Sequence, residues 1–115
     1  MPKEAQLRRL KKRSEFLRAA RGQRVGRSAF SLQANESEAV EAGLGFTVTK
    51  QMGNAPQRNR IRRRLRAAAK ACESRFEPQH DYVLIGRRDA LSVPFDRLVE
   101  DLSTSLAKIN SRKKN

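Results

Sequence analysis

Apolar residues recur at helical spacing in three segments of this 115-residue chain. The first segment predicts a helix from Leu7 to about Ala20, which Gly22 can end. Its apolar face comprises Leu10, Leu17 and Ala20. Phe16 lies about 100° away from that face on a helical wheel, so its ring is expected to border the edge of a sheet instead of filling the core.

The second segment predicts a helix from about Pro56 to Phe76, and Pro56 suits the first turn. Its apolar residues share an arc of roughly 100°, the width of a stripe that faces a core; they are Ile61, Leu65, Ala68, Ala69, Cys72 and Phe76. A third helix opens at Pro94, and its core face comprises Phe95, Leu98, Val99, Leu102, Leu106 and Ile109.

Alternating and continuous apolar runs predict strands between these helices. Residues 29–34 and 44–49 alternate like half-buried strands, with an acidic hairpin loop between them, and residues 82–86 read as a strand buried on both faces. The order is helix, two or three strands, helix, strand, helix. It predicts an α/β (α+β) single-domain sandwich with a small, mostly antiparallel sheet over residues 1–110, followed by a basic disordered tail at 111–115.

Basic residues are concentrated in two blocks. The chain carries 26 Lys and Arg against 12 Asp and Glu, a formal net charge of +14. Residues 1–28 hold ten of the bases, and residues 56–70 hold seven with no acid. Solubility needs no such segregation, so we expect a polyanionic partner, nucleic acid foremost.

Composition limits the class of protein. With 37% hydrophobic residues and no Trp, one domain can bury a modest core but no deep cavity with a lid, so a large metabolic enzyme is not expected. No apolar run approaches the roughly 20 residues that span a bilayer, and the start lacks the apolar core of a signal peptide. We expect a cytoplasmic protein without a membrane partner, and its single cysteine fits a reducing compartment.

Residue types that support catalysis are scarce. His80 has no neighbouring Cys or second His to complete a metal site, and it reads as a polar residue at a strand start. Cys72 lies on the apolar stripe and is expected in the core, since a nucleophile would need an adjacent base and some exposure. We therefore expect no catalytic residue and no metal site in the protein.

The segment from Gly53 to Arg66 carries the clearest functional signal. It contains Arg-Asn-Arg at 58–60, followed by a helix in which basic and apolar residues interleave. Arginine offers paired donors in the fork geometry that a phosphate accepts, and a helix start adds backbone N–H groups. The segment therefore predicts a phosphate-binding surface.

At these residues the sequence resembles the bacterial ribonuclease P protein subunit family. The resemblance rests on Arg58-Asn59-Arg60 and the helix after it, preceded by Lys50 and by Gly53-Asn54-Ala55. The segment from Leu7 to Phe16 is similar to the opening helix of that family, and residues 81–87 are similar to its last strand.

The resemblance implies a protein that assists an RNA enzyme. In that family a catalytic RNA uses Mg²⁺ to remove the 5′ leader from precursor tRNA, while the small basic protein binds the catalytic RNA and the leader. No cofactor is then expected on the protein alone. The resemblance also implies the fold of the second domain of ribosomal protein S5, with a strand-helix-strand crossover that is left-handed, against the usual rule.

Site residues follow from the resemblance by position. Those implied to bind RNA are Arg58, Asn59, Arg60, Arg62, Arg63, Arg64, Arg66 and Lys70. A cleft between the first helix and the sheet is implied for the single-stranded leader, with Phe16, Arg13, Lys12 and Lys50 as its contacts. An aromatic face suits an unstacked base.

Two alternatives stay open at this point. One is a structural RNA-binding protein of ribosomal type with no part in an enzyme. The other is a DNA-binding module with the 56–76 helix in a major groove. The second is less favoured, because the segment before that helix reads as a strand and not as the first helix of a helix-turn-helix.

Overall fold

A five-stranded mixed sheet with helices on both faces is the framework of residues 7–112, the part of the chain that the computed structural model describes. The strands are β1 (Arg8–Arg9), β2 (Gln23–Gly26), β3 (Phe30–Glu36), β4 (Gly43–Thr47) and β5 (His80–Gly86). The helices are α1 (Arg13–Ala20), α2 (Ala55–Ala71) and α3 (Phe95–Arg112), with 3₁₀ turns at Lys50–Met52, Glu73–Arg75 and Arg88–Leu91. The predicted α/β sandwich is confirmed, and β2 is the third strand that the sequence allowed.

The strand order is β1-β4-β5-β3-β2. Strand β4 is parallel to both β1 and β5, whereas β3 is antiparallel to both β5 and β2. Helix α2 joins the parallel neighbours β4 and β5, which confirms the strand-helix-strand crossover. Because β5 lies between β3 and β4, the acidic segment that connects these two strands passes across β5 and is not the expected hairpin loop.

The two faces of the sheet carry cores of unequal size. Alternate side chains of β5 point to opposite faces, so Tyr82 and Leu84 join a large core with α2 and α3, while Val83 joins a small cluster under α1. The large core buries every residue of the stripe predicted for the second helix: Ile61, Leu65, Ala68, Ala69, Cys72 and Phe76. The small cluster is made of Leu10, Ala19 and Val83, with Phe16 and Ile85 partly buried against it.

The N-terminal segment departs most from its prediction. Residues 7–12 are extended, and α1 occupies only residues 13–20. Leu17 is 49% exposed and Ala20 is exposed, whereas Ala19 is buried. The predicted apolar face is wrong because Leu10 belongs to the extended segment and does not share a helical period with Leu17. The face of α1 that packs on the sheet contains Phe16 and Ala19.

Helix α3 follows its prediction except at its ends. Its buried apolar residues are Leu98, Leu102, Leu106 and Ile109, and Val99 is partly buried against the same core. Phe95 is 43% exposed and lies outside the core, because it is the first residue of the helix. The helix continues through Ser111 and Arg112, which the sequence assigned to the disordered tail, and residues 113–115 lie outside the described part of the chain.

A buried tyrosine fastens the end of α3 to the sheet. The Tyr82 hydroxyl donates to Asn110 Oδ1 at 2.8 Å, and Asn110 Nδ2 donates to the carbonyl of Arg75 at 2.9 Å. Burial raises the pKa of Tyr82 to about 12, so the hydroxyl keeps its proton and remains a donor.

Candidate nucleic-acid interface

Helix α2 begins with most of its first-turn backbone donors occupied. Asn54 Oδ1 accepts from the backbone N–H of Gln57 at 3.0 Å, and Gln57 Oε1 accepts from the N–H of Asn54 at 2.9 Å, which is a capping box. Pro56 has no N–H, and the N–H of Arg58 bonds to the Asn54 carbonyl at 2.9 Å. The helix start therefore offers an anion few backbone donors, so a bound phosphate must be held by side chains.

Two arginines on the outward side of α2 carry uncommitted charge. Arg60 and Arg63 are exposed and form no hydrogen bond or ion pair with the described residues. No acidic residue lies on α2 to neutralise them. Their guanidinium groups are available to a phosphate in the paired geometry that arginine favours.

Three further basic residues, Arg62, Arg66 and Lys70, lie one turn apart along the side of α2 that faces β1. Arg62 donates to Asn59 Oδ1 at 2.8 Å. The guanidinium carbon of Arg66 lies 5.3 Å from the centroid of the Phe46 ring, a cation–π distance. These contacts orient positive charge along this side of the helix.

Two of the predicted RNA-binding arginines donate to backbone carbonyls of the protein. Arg64 donates to the carbonyls of the segment after β5, at 2.9 Å to Ala90, 3.2 Å to Leu91 and 2.6 Å to Val93. Arg58 donates to the carbonyl of Gly53 at 2.9 Å. Gly53 has φ of 141°, a conformation that favours glycine. Both arginines thus hold neighbouring loops to α2, and fewer donors face outward than the sequence suggests.

A groove of about 430 Å³ runs between α2 and β1. It is open because β1 pairs with β4 at only two positions, so the outer edge of β4 beyond Leu44 has no partner strand among the described residues. The groove is lined by Leu7, Arg8, Arg9 and Phe46, together with the three basic residues on the β1 side of α2. It combines apolar surface with an excess of positive charge.

Phe16 closes the end of this groove nearest α1. Its ring lies against Gly45, where an added Cβ would stand 2.6 Å from the ring, so a larger residue would displace it. The same side chain packs on the small cluster of Leu10, Ala19 and Val83. Phe16 is therefore half-buried at the border of the sheet, as expected, but it lies on the face of α1 that packs on the sheet and not to one side of it.

The other predicted leader contacts lie apart from the groove. Lys12 and Arg13 are exposed at the start of α1, and Lys50 is exposed in the 3₁₀ turn after β4; none of the three lines the groove. The structure thus brings Phe16 together with Arg62, Arg66 and Lys70 in the groove. The predicted contacts Lys12, Arg13 and Lys50 are exposed outside it.

Sequence reasoning missed three groove residues. Phe46 lies in a run of alternating apolar and polar residues, so the sequence predicts a core position. It is partly exposed because β1 covers only part of β4. Arg8 and Arg9 fell within a segment predicted to be helical. The charge-rich pattern before Leu10, with no apolar residue between positions 7 and 10, is the signal that favours an extended edge strand there.

The titratable residues with catalytic potential are in ordinary structural settings. Burial raises the pKa of the Cys72 thiol, which is a core residue as predicted. His80 Nδ1 lies 2.8 Å from the carbonyl of Pro78. Within residues 7–112, no three His, Cys, Asp or Glu side chains are placed to hold a metal ion. Within the same range, no helix has the length and apolar character needed to cross a membrane.

Comparisons with known proteins agree with this architecture. The family model described as Ribonuclease P matches residues 4–110. The chain is 47% identical over 109 residues to the ribonuclease P protein component of Ruegeria pomeroyi, covering 90% of this chain and 87% of the relative. It is 48% identical to that of Gluconacetobacter diazotrophicus over 108 residues, covering 90% and 92%.

Solved structures show the same fold. The RNase P protein of Staphylococcus aureus superposes with a TM-score of 0.72 at 27% identity, covering 88% of this chain and 95% of the other. The RNase P protein of Thermotoga maritima gives a TM-score of 0.76 at 24% identity, covering 88% and 96%.

Proposed function

We propose that this chain, which belongs to the ribonuclease P protein family, binds both the catalytic RNA of ribonuclease P and the 5′ leader of precursor tRNA. The protein assists the endonucleolytic removal of that leader in tRNA processing, and the RNA subunit performs the chemistry. The proposal places the protein in the cytoplasm, without DNA or a membrane as partner.

The exposed basic surface of α2 is the observation that carries the proposal. Arg60 and Arg63 project from a helix that holds seven basic residues and no acidic one, and a buried apolar stripe fixes the helix on the sheet. The fold is thus held by apolar contacts while the charge remains free. Such a surface suits the closely spaced phosphates of a folded RNA.

The groove supports the second part of the proposal. Phe16 and Phe46 offer aromatic surface, and Arg62 and Arg66 offer charge, within one open channel beside β4. Single-stranded nucleic acid is bound by this combination of aromatic stacking and a basic track. Lys12, Arg13 and Lys50 are exposed but do not line the groove, so in this proposal they contact only the part of the leader that extends beyond it.

The protein contributes binding and orientation, not bond cleavage. Mg²⁺ bound by the partner RNA would supply an activated water and stabilise the leaving oxygen. The described residues provide no cluster of acidic ligands that fits this ion, so no step is assigned to a protein-held metal. The side chains of α2 and of the groove act by holding phosphates and bases in position.

Cleavage of a precursor tRNA by a bacterial catalytic RNA at low Mg²⁺, with and without the protein, tests the proposal. We expect the protein alone to cleave nothing, but to lower the Mg²⁺ that the RNA requires and to raise its affinity for substrate with a leader. Cleavage by the protein without RNA would contradict it. Capture of ribosomal RNA alone from a lysate would favour a structural protein of ribosomal type.

A further inference from the structure

An ion-pair network joins β5, β1 and the start of α1. Arg8 donates to the buried carboxylate of Asp81, which is 2% exposed, and its other terminal nitrogen lies 3.4 Å from Glu15 Oε2. Glu15 Oε1 in turn accepts from the backbone N–H groups of Lys11 and Lys12, both at 3.0 Å. A single guanidinium thus links the sheet to the first turn of the helix.

This network adds to a small set of apolar contacts between α1 and the sheet, made by Phe16 and Ala19. The helix has eight residues, and only Ala19 among them is fully buried. Its far end is tied by Asn35 Nδ2, which donates to the carbonyl of Arg18 at 2.8 Å. Strand β1, which leads into the helix, has two paired residues. The rotation and height of α1 over the sheet therefore depend on polar contacts at its two ends as well as on the packing of Phe16 and Ala19.

Phe16 directly follows Glu15 and lies against Gly45 at the end of the groove. A shift of the first turn of α1 moves this ring, and the ring forms the wall of the groove. Burial of Asp81 makes its contact with Arg8 costly to leave unmade, so the network holds a single arrangement.

We propose that Arg8, Asp81 and Glu15 are positioning residues for leader recognition, which they support by setting the place of the Phe16 ring in the groove. None of the three needs to touch the leader. The inference rests on the proposed function, since it assumes that the groove binds the single-stranded leader.

Glu15→Ala tests this inference in the complex of the protein with catalytic RNA. The quantity measured is the ratio of affinities for precursor and mature tRNA, which isolates the leader. Complete loss of one stacked base would lower that ratio roughly 5- to 150-fold, and we expect Glu15→Ala to lower it at least threefold. Glu15→Gln, whose amide oxygen accepts the same N–H groups but whose NH2 cannot accept from Arg8, should restore only part of the ratio. Affinity for the catalytic RNA should stay within twofold, because α2 is unchanged.

Asp81→Asn provides a second variant from the other end of the network, and Asp101→Asn is the matched control. Asp101 pairs with Arg97 on the surface of α3 at 3.4 Å, away from the groove. We expect Asp81→Asn to lower the ratio and Asp101→Asn to leave it unchanged. If Asp81→Asn does not fold, the pair of Glu15 variants decides the question.

The possible failures are distinct. A wild-type complex that does not prefer precursor over mature tRNA would overturn the proposed function itself. A wild-type preference that persists in folded Glu15→Ala would overturn the positioning role alone. Equal weakening for both tRNAs would also overturn it, because the defect would then lie outside the leader.

Discussion

Helices α1 and α2 lie on opposite faces of the same sheet, and different forces hold them there. Helix α2 buries Ile61, Leu65, Ala68 and Ala69 completely or nearly so, whereas α1 buries only Ala19. Polar contacts at its ends hold α1, and they occupy Arg8 and Glu15. The periodic apolar face of α2 leaves Arg60 and Arg63 free for a ligand, whereas the sparse burial of α1 is supplemented by the ion pairs of Arg8.

Truncation of one leucine on each helix should give the greatest difference in the free energy of unfolding. Leu65→Ala should lower the free energy of unfolding by about 2–5 kcal/mol, because it opens a cavity in the large core. Leu17→Ala should change it by less than about 0.5 kcal/mol, because Leu17 is 49% exposed. Urea denaturation of both variants measures the difference. Similar losses in the two would show that α1 is anchored by the face first predicted from the sequence.

The second prediction concerns the free charges of α2. Arg60→Ala with Arg63→Ala should weaken binding to catalytic RNA and lower the slope of log affinity against log salt by about 1.4–1.8, from the loss of two phosphate contacts. The melting temperature should stay the same, since neither side chain has a partner in the described chain.

Arg97→Ala with Lys108→Ala on α3 is the control for this double variant, because it removes the same charge from another surface. Titrations of both variants at several salt concentrations make the comparison. An equal loss of slope in the control would mean that total charge, and not α2, determines RNA affinity.

Arg64 and Arg63 allow a comparison within α2 between an arginine that bonds to the protein backbone and one that does not. Arg64→Ala should lower the free energy of unfolding by about 1–2 kcal/mol, because three carbonyls lose a charged donor at a partly exposed site. Arg63→Ala should leave stability unchanged and reduce RNA affinity. Chemical denaturation and RNA titration of each variant give the two readings. A stable Arg64→Ala protein with the larger RNA defect would return Arg64 to the RNA-binding surface.

Hydrophobic periodicity predicted the structure correctly where all the residues of an apolar pattern lie within one helix or strand. The stripe of α2 and the buried run of β5 were read correctly, because each repeats at the period of its own element. The start of α1 was predicted wrongly. Leu10 and Leu17 are seven residues apart, as on one face of a helix, but Leu10 lies before α1 and only Leu17 lies within it. The roles of Arg64 and Arg8 depend on carbonyls and a carboxylate distant in sequence, so no local pattern could show them.

The smallest predicted effect is a pH dependence at α1. The backbone N–H groups of Lys12 and Lys11, followed by the charge of Arg8, hold the pKa of Glu15 below its usual value. The stability that this ionised carboxylate contributes is present above the unfolded pKa of about 4.3 and is lost as pH falls through the lower folded pKa. Wild type should therefore lose slightly more stability than Glu15→Gln between pH 6 and the acid range, as measured by thermal melting. Parallel pH curves for the two proteins would show that the Glu15 charge does not stabilise α1.

In the proposed function, the outward side of α2 with Arg60 and Arg63 binds the catalytic RNA, while the groove between α2 and β1, which Phe16 closes, binds the leader. This division is tested most directly by measuring two quantities, the affinity for catalytic RNA and the ratio of affinities for precursor and mature tRNA, in two variants. The Arg60 and Arg63 double variant should weaken only the first. Phe16→Ala should lower only the second, by up to the contribution of one stacked base, roughly 1–3 kcal/mol. If both variants lower both quantities together, the two surfaces are not separate sites, which would contradict the proposed function.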